Sequence, residues 1–346
     1  MVRQSLSPAL FLAPILAIAL LSPACTVGTL ETTRMPAPVM RDLGDVFDCL
    51  RERRLALVSA HRGQKEPTAA ENSLESFGNT VERGPIFIEV DVARSADGVL
   101  MLMHDQTLDR TTNGTGPLAA KTYRDLRQLI LKDGEGEQLN ERIPTLEEAL
   151  VWGKRRGAVL QLDIKPGVPL ADVVKHVRQT HMEGQVILIA YSLADSRAVL
   201  KLAPEMMVSA SGRTPAETAA LLRMANPRML IFTGTREPDP ALIARLDAAK
   251  VEAITGTLGR PGQRLDDRYL ADGNGSEYAA LAERGVTLIA SDQPVEAWRA
   301  LKKADRDGMI CLTGLAGEAG ASATARPERS AGSQAGRMPG ARRLRG

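Results

Sequence analysis

The chain has 346 residues, 44% hydrophobic and 25% charged, with a formal net charge of +2. This is an ordinary globular composition with apolar residues enough for one sizeable core, and the length suits a single α/β barrel of about 250 residues plus flanking segments. Arg3 and the stretch 315–346, with six Arg and two Glu, carry the basic excess and leave the body at −3, which argues against nucleic-acid binding, since that needs a clustered basic face.

In chain order, residues 1–25 read as an export signal: Arg3, the apolar "ALFLAPILAIALL" and the small-residue ending "SPAC". Pro14 interrupts an apolar run already too short for a membrane span of about 20 residues. "LSPAC" resembles a bacterial lipoprotein cleavage box with Cys25 as the lipidated residue. The expected location is therefore the periplasm or the outer membrane, with Cys25 either a lipid anchor or the mark of ordinary signal cleavage. Residues 26–50 read as a polar tether and lead-in helix, and 51–312 as the folded domain. The tail 313–346 is rich in Gly, Ala, Arg and Ser without apolar periodicity, the pattern of disorder.

Within the domain, nine short apolar runs alternate with amphipathic stretches, beginning "LALVSA" (55–60), "IFIEVDV" (86–92), "VLMLMH" (99–104) and "AVLQLDI" (158–164) and ending "VTLIAS" (286–291). Aliphatic content without strict alternation is the pattern of strands buried on both faces. Asn72 with Glu75 has the spacing of a helix N-cap and its N3 partner, and Thr145 with Glu148 opens a helix that Gly157 closes. The link "ARSADG" is too short to join parallel neighbours, so one of the two runs it connects is a hairpin extension and eight parallel strands remain. The predicted fold is α/β, a (β/α)8 TIM barrel. Cys49 and Cys311 flank it; they are either a disulfide, which a closed barrel and an oxidising compartment permit, or two buried thiols.

Polar residues gather at the carboxyl ends of these runs, where active sites of such barrels assemble. His61 and Arg62 follow the first run, Glu89 and Asp91 lie in the second, His104 ends the third, and Asp163 and Lys165 end the fourth. Residues two apart on a strand share a face, so Glu89 and Asp91 point together, as do Asp163 and Lys165. Three converging carboxylates require a cation, and an all-oxygen set suits Mg²⁺ or Ca²⁺. For Glu89 and Asp91 alone an ion pair with Arg or Lys serves equally well. Two histidines beside a cation suit proton transfer near neutral pH, and Arg62 and Lys165 suit a phosphate group. His176 and His181 lie in a polar helical stretch and read as surface residues.

The ordered motifs "AHRG", "ENSLESF", "IEVDVARSADGVLMLMHDQTLDRTTNGTG", "IPTLEEAL" and "LDIK" resemble those of the glycerophosphodiester phosphodiesterase family, most clearly over 57–165, with "AYS" and "SDQP" beyond. The resemblance implies a barrel that hydrolyses glycerophosphodiesters to glycerol 3-phosphate and an alcohol, with one divalent cation. It implies His61 and His104 as the catalytic pair and Glu89, Asp91 and Asp163 as metal ligands. Arg62 and Lys165 then contact phosphate, Glu71 and Asn72 support the metal or substrate, and 105–142 forms a small inserted subdomain over the barrel mouth. Two departures stand out. Asp163 occupies a position usually held by Glu, although the related phospholipase D toxins use Asp there, and an aromatic motif near the seventh strand is replaced by "AITGTLGRPG". Phospholipase D-type cleavage of lysophospholipid or sphingolipid headgroups is therefore the rival activity, and a barrel that binds headgroups without cleaving them is the non-catalytic alternative.

Overall fold

The computed structural model describes residues 42–63, 68–84, 86–224 and 226–313. The export segment with Cys25, the tether up to residue 41 and the tail from 314 lie outside the described residues. Nine strands form among the described residues: β1 (Leu57–Ala60), β2 (Ile86–Arg94), β3 (Leu100–Leu102), β4 (Leu160–Ile164), β5 (Val186–Ala190), β6 (Met207–Ser211), β7 (Met229–Phe232), β8 (Glu252–Gly256) and β9 (Val286–Ser291). All but β3 pair in parallel, and β9 returns to β1, so eight strands close a barrel. β3 pairs antiparallel with the end of β2, Val92 opposite Leu102 and Arg94 opposite Leu100. This is the hairpin extension expected from the short link.

The lead-in helix α1 runs Leu43–Arg53, past the expected boundary at 50, because it is the floor of the barrel and not part of a tether. Asp42 caps it, accepting from the Gly44 amide at 2.8 Å. Its Val46, Phe47 and Leu50 pack against Leu57, Phe87, Val159, Ile187, Leu230 and Leu288, the bottom layer of strand residues. Phe47 meets Phe87 edge-on at 6.3 Å between ring centroids. Burying each such side chain contributes about 1.5–3 kcal/mol. Cys49 of α1 is disulfide-bonded to Cys311 across the same floor, and Arg51 pairs with buried Glu252 at the start of β8.

α2 (Leu74–Val81) corrects one expectation. Its N-cap is Ser73, whose hydroxyl accepts from the Ser76 amide, and not Asn72. Asn72 is used elsewhere because a buried carboxylate on β2 needs its amide, as described below. Beyond β3, the segment 105–142 has little regular structure apart from α3 (Tyr123–Leu126) and a short 3₁₀ turn at Leu118–Ala120. It is held by an apolar cluster of its own, Leu108, Leu118, Leu126 and Leu131 packed on Met101 and Met103. α4 (Leu146–Arg156) has the expected Thr145–Glu148 capping box and ends at Gly157 with φ +67. Among the described residues no helix is long and apolar enough to cross a membrane.

Candidate active site

The parallel pairing of β2 with β4 sets Asp91 directly opposite Asp163, with Glu89 one inward position below on β2. Oxygens of these three buried carboxylates all lie within 4.8 Å of one another. Burial, and then the charges of Asp91 and Asp163, push the Glu89 carboxyl well above its usual range. Burial acts on Asp91 too, but the Lys165 ammonium, with Arg62 and Asn72, holds it below its usual value. Lys165 Nζ lies 2.6 Å from both Asp91 Oδ1 and Asp163 Oδ2. Asp91 Oδ1 has that ion pair and no hydrogen bond, and Asp163 Oδ1 is buried without a hydrogen-bond partner. Buried oxygens without a hydrogen bond are rare in folded proteins. Two of them in one trio of carboxylates match the hard oxygen donors a divalent cation takes. The residues present fit such an ion.

The loops bring the rest of the site to this cluster. After β1 the chain turns through Arg62 at φ +61, a left-handed conformation that costs a non-glycine residue of order 1–3 kcal/mol. The turn aims the Arg62 amide at Glu89 Oε2, 2.8 Å away. Gly63 follows at φ +89, and a Cβ there would come within 2.4 Å of the Phe77 ring. Asn72, also left-handed, clasps Asp91: Nδ2 donates to Oδ2 at 2.7 Å and Oδ1 accepts from the Asp91 amide at 2.9 Å. The Arg62 guanidinium lies 3.1 Å from Glu71 and 3.6 Å from Asp91.

Each histidine of the predicted pair is bound through Nδ1 to a carboxylate. His61 Nδ1 lies 2.8 Å from Asp292, which has no exposed side-chain surface and also meets the Gly259 amide and Arg264. His104 Nδ1 lies 2.7 Å from Asp105. Arg110, from the inserted segment, then bridges Asp105 and Glu71 with four hydrogen bonds of 2.7–3.0 Å. Those bonds, and His104 after them, hold the Asp105 carboxyl well below the usual carboxylate range. His61, Glu89 and Asp163 border a cavity of about 210 Å³ that ends at Tyr191, Arg213 and Phe232. His104 and Lys165 border a second, of about 430 Å³.

A sequence model of the glycerophosphoryl diester phosphodiesterase family matches residues 61–294. The chain belongs to that family. It is similar to a glycerophosphodiester phosphodiesterase of Caldanaerobacter subterraneus, 33% identical over 158 residues that make up 44% of this chain and 65% of that protein. It is also similar to glycerophosphodiester phosphodiesterase 1 of Mus musculus, 34% identical over 39% of this chain and 40% of that protein. The chain thus spans less than two thirds of the curated relatives it matches. Among solved structures, a glycerophosphoryl diester phosphodiesterase from Parabacteroides distasonis superposes with a TM-score of 0.67 at 29% identity, covering 77% of this chain and 93% of that one.

All the family's motif residues named from the sequence meet in this one region, Glu71 through Arg62 and Arg110 and not through the carboxylate trio. His176 bonds a helix carbonyl and His181 ends that helix, so neither enters the site. Sequence reasoning assigned no role to Asp292, Asp105 or Arg110. Asp292 sits in "SDQP" after the last strand, and barrel closure, which sets β9 beside β1, is the signal that could have linked it to His61. Although β8 lacks the usual aromatic motif, β7 supplies Phe232 to the same wall.

Proposed function

We propose that this protein hydrolyses glycerophosphodiesters to sn-glycerol 3-phosphate and an alcohol by acid–base catalysis beside one divalent cation, Mg²⁺ or Ca²⁺. The observation that carries the reading is the pair of carboxylate-bound imidazoles, His61–Asp292 and His104–Asp105, beside three clustered carboxylates and two cationic side chains. Glu89, Asp91 and Asp163 would hold the cation, which would supply Lewis-acid charge to a phosphate oxygen. A carboxylate on Nδ1 orients each imidazole and assigns proton transfer to Nε2. His61 takes the proton from the glycerol hydroxyl next to the phosphoester as its oxygen bonds to phosphorus. The bond from phosphorus to the alcohol oxygen breaks, and His104 gives that oxygen its proton. Water then opens the cyclic phosphate with the proton roles reversed. Arg62 and Lys165 stabilise the phosphate charge.

The first test is glycerol 3-phosphate release from glycerophosphocholine by the purified protein, with Mg²⁺, with Ca²⁺ and with EDTA. His61→Ala and His104→Ala should each lower kcat at least about 100-fold with the fold intact. Near-wild-type turnover in either variant, or activity that survives metal removal, would overturn the assignment.

One observation favours a second reading, cleavage of lysophospholipid. A groove of about 640 Å³ runs from Asp163 and Lys165 between apolar Ile164, Val168, Leu170 and Val199, and it could take an acyl chain. Choline release from lysophosphatidylcholine, without release from the deacylated diester, selects that reading. Export is supported by the Cys49–Cys311 disulfide, a bond that persists in oxidising compartments. Mass spectrometry of the mature N-terminus tests the lipid anchor, which an unmodified Cys25 would exclude.

A further inference from the structure

With His61 serving the glycerol side of the diester, the cavity of about 210 Å³ beside it receives the glycerol. Gln161 and Ser209 on its wall are only 3% and 4% exposed, and neither side chain makes a hydrogen bond among the described residues. Buried polar groups are almost always paired, so these two suit the hydroxyls of a bound polyol. Ser209 and Ser211 both line the cavity because residues two apart on β6 share its inward face. Arg213 lies two further on. Pairing of β6 with β7 continues past the strand end, where the Gly212 amide donates to the Phe232 carbonyl at 2.9 Å, so Arg213 keeps that face. It lines the same cavity, and its guanidinium carbon stands 5.9 Å from the ring centroid of Phe232, which lines it too.

A guanidinium stacked on a ring keeps its N–H edge free for a ligand. Arg213 is exposed at the rim and makes no hydrogen bond or ion pair among the described residues. The other charged groups of this lining are His61, bound to Asp292, and the clustered carboxylates Glu89 and Asp163. Glycerol whose phosphate is being cleaved beside those carboxylates points its far hydroxyl along the cavity, and an anion carried there meets the uncommitted fork. We propose that the His61 cavity selects glycerol bearing a second phosphate, that Arg213 binds this phosphate, and that the substrate class is glycerol units joined by phosphodiesters. This rests on the diesterase reading and assigns the substrate class within it.

The experiment is hydrolysis of bis(glycerophospho)glycerol with whichever of Mg²⁺ or Ca²⁺ supports turnover, the first products being separated by ion-exchange chromatography. Each phosphate of this substrate lies between a terminal and the central glycerol. With the central glycerol in the His61 cavity, its 2-hydroxyl oxygen bonds to phosphorus as His61 takes the proton, and the terminal glycerol leaves with a proton from His104. Water then opens the cyclic phosphate, so the products are glycerol and a phosphorylated glycerophosphoglycerol. With a terminal glycerol in the cavity they are glycerol 3-phosphate and glycerophosphoglycerol. A site blind to the second phosphate makes the two sets about equally, and their ratio does not depend on how much of the enzyme is folded. Wild type should favour the first set about fivefold, Arg213→Gln should bring the ratio to about one, and Arg213→Glu should take it below one. A wild-type ratio at or below one, or a shift of less than twofold in both variants, overturns the inference and leaves the diesterase reading standing. Hydrolysis of neither this substrate nor glycerophosphocholine by folded, metal-loaded protein overturns both.

Discussion

Arg110 is the residue whose removal tests the most of this architecture. It lies outside the barrel strands, yet its guanidinium forks onto Asp105 at 2.7 and 3.0 Å and onto Glu71 at 2.7 and 2.8 Å. Through Asp105 it sets the carboxylate that orients His104, and through Glu71 the partner of Arg62. Arg110→Met leaves both carboxylates in place but releases them. The Arg110 side chain is 50% exposed, so solvent screening reduces the two bidentate pairs to roughly 1–2 kcal/mol of stability. For a domain of this size that is a fall in Tm of about 2–8 °C. Activity should suffer more, because loosening the groups behind an active-site histidine costs about 10–100-fold. We expect that loss in kcat, with KM within about threefold, since Arg62 keeps its pairs with Glu71 and Asp91 and Lys165 its pair with Asp163. Arg110→Lys retains the charge but not the fork, and should recover only a minor part. The assay is steady-state kinetics on a glycerophosphodiester alongside thermal unfolding by circular dichroism. A kcat within twofold of wild type in Arg110→Met, or full recovery in Arg110→Lys, would refute a positioning role.

Two further predictions concern the barrel floor. The Cys49–Cys311 bond closes a loop of 262 residues, so chain entropy assigns it about 5.6 kcal/mol, with roughly 2–5 expected in practice. The Cys49→Ser/Cys311→Ser double variant should lose that much by urea unfolding with kcat unchanged, because the bond lies in the floor and not at the strand ends that carry the site; an equal loss of kcat would contradict this placement. At the start of β8, burial outweighs the attraction of Arg51 and pushes the Glu252 carboxyl up to about 7. Its folded value therefore exceeds its unfolded one, so its contribution to stability is fully present below about pH 4.5 and is lost as pH rises through 7. Arg51→Ala should cost about 1.4 kcal/mol more at pH 8 than at pH 5, because losing the cation pushes the Glu252 carboxyl higher still and keeps it protonated where the wild type ionises. A penalty equal at both pH values would show that Glu252 does not titrate in this range.

The barrel and most of its site were legible because they are written in local patterns. Runs such as "IFIEVDV" identify strands by composition, and Glu89-x-Asp91 shares a face because the period of a strand is two. Thr145 with Glu148 marks a helix start by hydrogen bonds that span three residues. The same local logic failed at Asn72. A side chain with the right spacing to cap α2 instead clasps Asp91, because an isolated buried carboxylate costs more than a cap contributes.

By itself, then, the sequence determined the strand count, the hairpin, the three carboxylates and the two histidines, each through residues near one another in the chain. Only the tertiary structure decided their partners. Asp292 reaches His61 across 231 residues because β9 closes on β1. Lys165 comes between Asp91 and Asp163 because β2 and β4 pair in one register. Arg110 meets Glu71 because the inserted segment folds back on its own apolar cluster. Periodicity is a property of neighbours along the chain, whereas the pairing of charges depends on which strands lie side by side once the barrel is closed.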